Sequence, residues 1–198
     1  MPAVVRQAAE SDADQIAAIY APYVRDSAIS FELIPPTVEE MRERIRALTA
    51  THPWLVCADG PAILGYTYAG RYRERPAYQW SVETTVYVRH DAHRRGIGRA
   101  LYTALLPIVT AQGFYTAYAL ITLPGVGSVA LHESMGFEPV GVCRGVGYKL
   151  GTWRDVGTWE LVLRARPASP VAPRAIDGVR GSAEWEAAMG AATRMLGG

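Results

Sequence analysis

At 198 residues, 49% of them apolar and 20% charged, the chain has the size and composition of one globular domain with a proper hydrophobic core. A formal net charge of +1 supplies no field for holding a nucleic-acid polymer or an anionic membrane, so neither is expected as a partner. Cys57 and Cys143 have neither metal-ligand nor disulfide-framework spacing, no apolar run approaches a membrane span, and the first residues lack a signal-peptide core; a reduced, cytoplasmic protein without a metal is expected.

In chain order, Val4–Gln7 reads as a short strand. Ser11 or Asp12 then caps a helix whose Ile16, Ile19, Tyr20 and Tyr23 recur at helical spacing. The segment "ISFELIPPT" is a loop broken by Pro35 and Pro36, and Thr37 caps a charged helix with Met41, Ile45 and Leu48 inward. Trp54–Ala58 and Ile63–Arg71 form a hairpin turned by Asp59, Gly60 and Pro61. After the loop "YRERPA", Tyr78–Val88 reads as a long strand.

The most informative stretch runs from Thr85 to Leu106, "TVYVRHDAHRRGIGRALYTALL", where a strand passes through a polar turn into Gly96 and Gly98 and then into a helix. Glycines there let backbone N–H groups close on a ligand, and a helix N-terminus favours a bound phosphate. Arg94, Arg95 and Arg99 surround the turn with positive charge. A Walker loop would need Gly-Lys-Ser/Thr and a dinucleotide fingerprint would need G-x-G-x-x-G; neither is present. A pyrophosphate cradle of another kind is expected.

The helix carries Leu101, Leu105 and Ile108 and stops at Gly113, with a kink expected before Pro107, where a ladder bond is lost. Tyr115–Thr122 is the next strand, Ser128–Met135 a short helix ending at Gly136, and Glu138–Gly147 and Trp153–Leu163 are closing strands. A domain over residues 1–166 and a proline-punctuated tail over 167–198 are expected. The tail reads either as one weak helix through Trp185, Met189 and Met195 or as disordered, and its removal is expected to leave activity intact.

The loop His93–Gly98, the flank "AYQWSVETTVYV" and the segment "LHESMGFEPVGVCRGVGYKLGTWRDVGTWEL" together resemble the GNAT superfamily of acyl-CoA N-acyltransferases. They resemble its phosphinothricin N-acetyltransferase branch, which also includes methionine sulfoximine and methionine sulfone acetyltransferases. The resemblance runs from about Val4 to Leu163, with Trp54, Glu83, the loop, His132 and Gly136–Phe137 in order. It implies an α+β (α/β/α) GNAT fold, a mixed twisted sheet splayed at its central strands and flanked by helices. It implies acetyl-CoA as co-substrate, held at Arg94, Arg95, Gly96, Ile97, Gly98 and Arg99, with the pantetheine beside Val86, Tyr87 and Val88 and Ser128 nearby. A homodimer is implied as well. The chain departs from the family pattern at His93, where an arginine or glutamine is usual, and at Gly125, where relatives have an asparagine.

Amide formation from an amine and a thioester needs a base, donors for the oxyanion and a proton for the leaving thiolate. Glu83, mid-strand among Trp80, Val82 and Val86, is the candidate base; the alternative is an edge-strand glutamate paired to an arginine. His132 is the candidate acid, with a packed histidine at a helix–strand junction as its alternative. Arg73 and Arg75 bracket a loop beside the catalytic strand and suit a carboxylate or phosphinate. With Tyr78, Thr85 and Phe31 they form the expected substrate pocket for a small amino-acid analogue. Acetylation of another amine, such as an aminoglycoside, a polyamine or a protein N-terminus, stays open, as does a non-catalytic coenzyme A-binding module.

Overall fold

The structure, a computed structural model, describes residues 3–197. Its elements are β1 (Val4–Gln7), α1 (Ala13–Arg25), α2 (Val38–Thr49), β2 (Trp54–Asp59), β3 (Ala62–Arg71) and β4 (Ser81–Val88). After these come α3 (Ile97–Gln112), β5 (Thr116–Thr122), α4 (Val126–Ser134), β6 (Glu138–Lys149), β7 (Thr152–Val162) and α5 (Ala183–Leu196). The strands form one sheet in the order β1-β2-β3-β4-β5-β7-β6. Among the described residues β4 and β5 are the parallel pair; the other neighbours run antiparallel. The mixed sheet between helical layers agrees with the fold expected from the sequence.

Each face of the sheet has its own core. Ile16, Ile19, Tyr20 and Tyr23 of α1 and Met41 and Ile45 of α2 pack on Trp54, Val56 and Tyr66. On the other face Leu101, Tyr102, Leu105 and Ile108 of α3 pack on Leu55, Val82 and Ala117. Strand alternation in β4 divides its residues between the two. Val82, Val86 and Val88 join the α3 core, whereas Tyr87 meets Tyr20 and Tyr23 of α1 with ring centroids 4.9 and 5.0 Å apart, so Glu83 and Thr85 share the α1 face.

Local chemistry sets the ends. Thr37 accepts from the Glu40 N–H (3.2 Å) while the Glu40 carboxylate accepts from the Thr37 N–H (2.7 Å), a reciprocal cap that fixes the start of α2. Asp12 stands at the N-cap position of α1 as expected, but its side chain makes no capping bond there. Its carboxylate is taken by Arg6 (2.7 and 2.8 Å) and by the Ala9 N–H (2.8 Å), which starts a single 3₁₀ turn over Glu10–Asp12 instead. The strand expected from Tyr78 begins at Ser81, because Pro76 opens a 3₁₀ turn through Tyr78. The helix α3 continues through Pro107 as one element, so the lost ladder bond neither ends nor divides it.

The segment beyond Pro167 is a strap and a helix on the α3 face. The Trp80 indole donates to the Val171 carbonyl (2.9 Å), the Arg174 N–H donates to the Gln112 carbonyl (2.7 Å), and Gln112 Nε2 returns a bond to the Arg174 carbonyl (3.0 Å). Ile176 and Val179 have no solvent exposure, and Trp185, Ala188 and Ala192 of α5 are buried, most of them in the α3 core. The segment expected as a weak helix or a disordered tail thus carries a helix whose apolar side chains pack into the α3 core.

Candidate active site

The sheet opens where β4 leaves β5. Three residue pairs join them, Ser81 with Thr116, Val82 with Ala117 and Glu83 with Tyr118. Beyond Glu83, β4 keeps β3 as its neighbour as far as Val88 but, among the described residues, has no strand on its other edge. Glu83 thus stands at the vertex of a fork. One side-chain bond bridges the first step past it, from Thr84 Oγ1 to the Tyr118 carbonyl (3.2 Å).

A cleft of about 1200 Å³ fills the fork. Glu83, Thr85, Val86, Tyr87 and Val88 line it along β4, and Arg94, Gly96, Ile97, Gly98 and Arg99 line it at the start of α3. Ser128 and His132 of α4 and Phe31 and Arg73 from two loops complete the predicted set that it gathers. Arg75, Tyr78 and Arg95 are the exceptions: they are exposed and do not line the cleft. The 3₁₀ turn after Arg75 carries Arg75 and Tyr78 away, so the expected pair of arginines reduces to Arg73.

At the α3 end the backbone is shaped for an anion. Arg94 (φ 61°) and Gly96 (φ 76°) are both left-handed, a backbone conformation of the kind from which anion-binding turns are built. The first-turn N–H groups of α3 add unpaired donors and the positive end of the helix dipole. A Cβ at Gly98 would lie 3.0 Å from the Leu131 side chain, so the helix approaches α4 there at glycine distance.

His93 does not extend into this cradle as an arginine would. Its Nε2 lies 2.8 Å from the Tyr23 hydroxyl and 3.0 Å from the Val88 carbonyl, tying the loop to α1 and to the end of β4. Gly125 has φ +42°, and a Cβ there would fall 2.6 Å from both Ile121 Cγ2 and the Thr122 carbonyl. At the position where the resemblance implies an asparagine, the chain thus has a backbone conformation in which a Cβ would force its neighbours to shift.

Glu83 is half-buried and its carboxyl is pushed above the usual carboxylate range by desolvation, while Arg73, 3.9 Å away, works in the opposite direction. The Arg73 guanidinium also lies over the Tyr72 ring, 4.2 Å from its centroid.

His132 is 3% exposed, and burial lowers its pKa, opposed by a bond to the Ser128 carbonyl. Nδ1–H donates to that carbonyl (2.7 Å); in the neutral ring that burial favours, Nε2 then accepts from the Tyr102 hydroxyl (2.8 Å). Tyr102, fully buried, also lies 3.3 Å from Thr84 Oγ1. Tyr102 and Thr84 are absent from the residues that the sequence points to; a tyrosine among helix-face leucines and a strand threonine carry no pattern that marks a shared network.

A fork with a carboxylate at its vertex and an anion cradle at its mouth is a place to bring an amine and a phosphate-bearing acyl carrier together. Over residues 5–157 the sequence matches the family described as acetyltransferase (GNAT) domain. The chain belongs to the GNAT acetyltransferase family. It is 40% identical over 174 residues to a phosphinothricin N-acetyltransferase of Streptomyces viridochromogenes, covering 86% of this chain and 95% of that one. It is 31% identical over 172 residues to an L-methionine sulfoximine/L-methionine sulfone acetyltransferase of Pseudomonas paraeruginosa, covering 86% of this chain and 100% of that one. Among solved structures, a GNAT superfamily phosphinothricin acetyltransferase from Sinorhizobium meliloti in complex with AcCoA superposes with a TM-score of 0.82 at 33% identity, covering 92% of this chain and 98% of that one. As a GNAT member the chain is an acyltransferase. No helix among the described residues is long and apolar enough to cross a membrane, and no group of three or more His, Cys, Asp and Glu side chains there is placed to hold a metal.

Proposed function

We propose that this enzyme N-acetylates the free amine of a small amino-acid analogue of the phosphinothricin, methionine sulfoximine or methionine sulfone type, by direct transfer from acetyl-CoA. The observation that carries the reading is the fork vertex: Glu83 opens onto the same cleft as the left-handed Arg94–Gly96 turn. The cradle fits the coenzyme's pyrophosphate, since it offers backbone N–H groups, a helix N-terminus and the flanking Arg94 and Arg99. The free edge of β4 at Val86–Val88 fits an extended chain with amide groups to pair. When bound, acetyl-CoA supplies an activated acetyl thioester.

In this reading the chain's own residues bind, orient and move a proton. Glu83, kept basic by its partial desolvation and still ionised beside Arg73, takes the proton from the substrate ammonium directly or through one water. Arg73 faces the substrate's acid group, and Phe31 covers the amine side of the cleft. For His132 the geometry supports positioning rather than the acid role expected from the sequence. As a neutral imidazole, with Nδ1–H held by Ser128 and Nε2 by Tyr102, it has no free proton to offer the thiolate.

The expected homodimer is assigned to the outer strand β6, whose Val140, Val142, Val146 and Tyr148 are exposed on a free sheet edge; light scattering that reports a monomer at micromolar concentration would overturn it. A cytoplasmic location accords with the two free cysteines, Cys57 and Cys143.

The test is thiol release from acetyl-CoA with phosphinothricin, methionine sulfoximine, methionine sulfone, spermidine and an aminoglycoside as acceptors. Saturable turnover confined to the first three is expected, and turnover on the cationic amines alone overturns the substrate class. Glu83→Gln is expected to lower kcat by roughly 10²-fold or more; turnover retained at neutral pH removes Glu83 as the base.

A further inference from the structure

The chain carries nineteen arginines and a single lysine, Lys149. That lysine is 5% exposed. Its ammonium donates to two backbone carbonyls, Ser30 (2.5 Å) and Glu32 (2.8 Å), more than a hundred residues away in sequence. No carboxylate lies within ion-pair distance of it among the described residues. A buried ammonium needs hydrogen-bond acceptors to offset lost hydration, and here they are the main chain of one loop.

That loop joins α1 to α2 and forms part of the cleft wall through Ser30 and Phe31. Its side chains are held from the helices: Tyr20 pairs with Ser30 Oγ (2.6 Å) and donates to Glu32 (3.0 Å), and Arg44 grips Glu32 through two bonds (2.7 and 3.1 Å). On the opposite side the loop meets the β6–β7 hairpin. The Phe31 ring lies on Gly147 so closely that a Cβ there would overlap it. Two residues later on the same strand face comes Lys149. Its place is set by the turn, in which Leu150 (φ 54°) and Gly151 (φ 74°) are both left-handed and leave Lys149 paired with Thr152.

The hairpin lines the same cleft through Val146, Val156 and Thr158, so the amine side is roofed by two separate pieces of chain. Lys149 is the polar tie between them. Arginine, the residue this chain otherwise uses for every cation, is a planar fork suited to carboxylates, whereas a compact ammonium with rotatable donors suits two carbonyls of one tight loop.

We infer that Lys149 is a positioning residue that latches the Ser30–Glu32 loop onto the β6–β7 hairpin and thereby holds Phe31 over the amine half of the cleft. The role in acetylation rests on the function proposed above; the latch itself does not.

Because Lys149 is the one lysine, its peptide reports an amine reagent separately from the N-terminal amine. Reductive methylation of the full chain, followed by mass spectrometry of the Lys149 peptide, is expected to run at least about 100-fold slower in the folded protein than in urea, the ratio set by local opening. Gly147→Ala, which forces Phe31 off the hairpin, is expected to accelerate it roughly tenfold or more. Labelling of the folded chain within about threefold of the urea rate overturns the latch. Lys149→Met removes the tie at nearly constant volume; the expected result is an amine KM raised about tenfold with the acetyl-CoA KM unchanged within twofold. Slow labelling together with an unchanged amine KM in Lys149→Met overturns the positioning role. If no amine is acetylated at all, the proposed function falls while the labelling rate still decides the latch.

Discussion

A single ion pair decides how Glu83 is poised. Desolvation raises its pKa and Arg73 lowers it, so in the proposed reaction Arg73 would both favour the ionised base and face the substrate's acid group. In the proposed reaction the ionised form is the active one, so kcat/KM is expected to rise with pH through the Glu83 pKa on the acid side. Removing the guanidinium removes the influence that lowers this pKa. Arg73→Met is therefore expected to move the acid limb to higher pH. It should also raise the amine KM on the order of tenfold, the equivalent of about 1.4 kcal/mol of charge-assisted bonding. Steady-state kinetics across the acid range check both. An acid limb that stays in place separates the two residues, and an unchanged KM removes Arg73 from the substrate. Arg75→Ala is expected to do neither, because Arg75 lies outside the cleft. Nothing in "RYRERPAY" distinguishes these two arginines; the difference comes from Pro76, which starts a 3₁₀ turn immediately after Arg75. Glu83 itself is legible because a carboxylate amid a strand of apolar residues conflicts with burial unless it has a task. What alternation cannot tell is that its pairing with Tyr118 is the last before the fork.

At the scale of elements, the fork is held open by helices and held together by one threonine. Thr84 comes directly after the last β4–β5 pair, and its hydroxyl spans the opening to the Tyr118 carbonyl while lying 3.3 Å from Tyr102 of α3. Tyr102 in turn carries His132 of α4. Residues of β4, α3 and α4 thus meet in one buried polar cluster at the vertex, in which Thr84 gives its proton to Tyr118 and Tyr102 gives its own to His132. Thr84→Val keeps the shape and deletes the hydroxyl, leaving a carbonyl of β5 without its side-chain donor. A loss of about 1–2 kcal/mol in urea unfolding is expected, with the amine KM and the coenzyme KM both raised. Wild-type stability in the variant would mean that the vertex is set by the helices alone. Sequence periodicity places nearly every strand and helix here, because each carries an apolar face at its own period. It is silent on this network, since buried polar contacts between distant elements obey no period. The cradle at α3 is readable for the opposite reason: Gly96 and Gly98 are local backbone requirements, and such requirements are written in consecutive residues.

For the molecule as a whole, the tail expected after residue 166 packs against the domain that precedes it. The run "RPASPVAP" has the composition of a linker, and a linker ordinarily separates one folded unit from the next. Here it is a strap pinned by Trp80 and Gln112, and the chain beyond it returns to the domain's own core. Ile176 and Val179 are fully buried and Trp185 nearly so. Each such side chain contributes about 1.5–3 kcal/mol by burial, against a total stability of about 5–15 kcal/mol for an ordinary domain. The helix α5 also covers β1, where the Val5 N–H donates to Thr193 Oγ1 (3.2 Å), and an edge strand stripped of its cover invites association with other chains. The weak periodicity of Trp185, Met189 and Met195 reflects a short contact face, not a marginal contribution. A chain ended at Pro167 is expected to melt at least about 10 °C below the full protein or to aggregate on expression, although every residue assigned to the cleft is retained. Calorimetry of the two forms decides it: melting points within about 2 °C of each other would show that the sheet and α3 close their own core without α5.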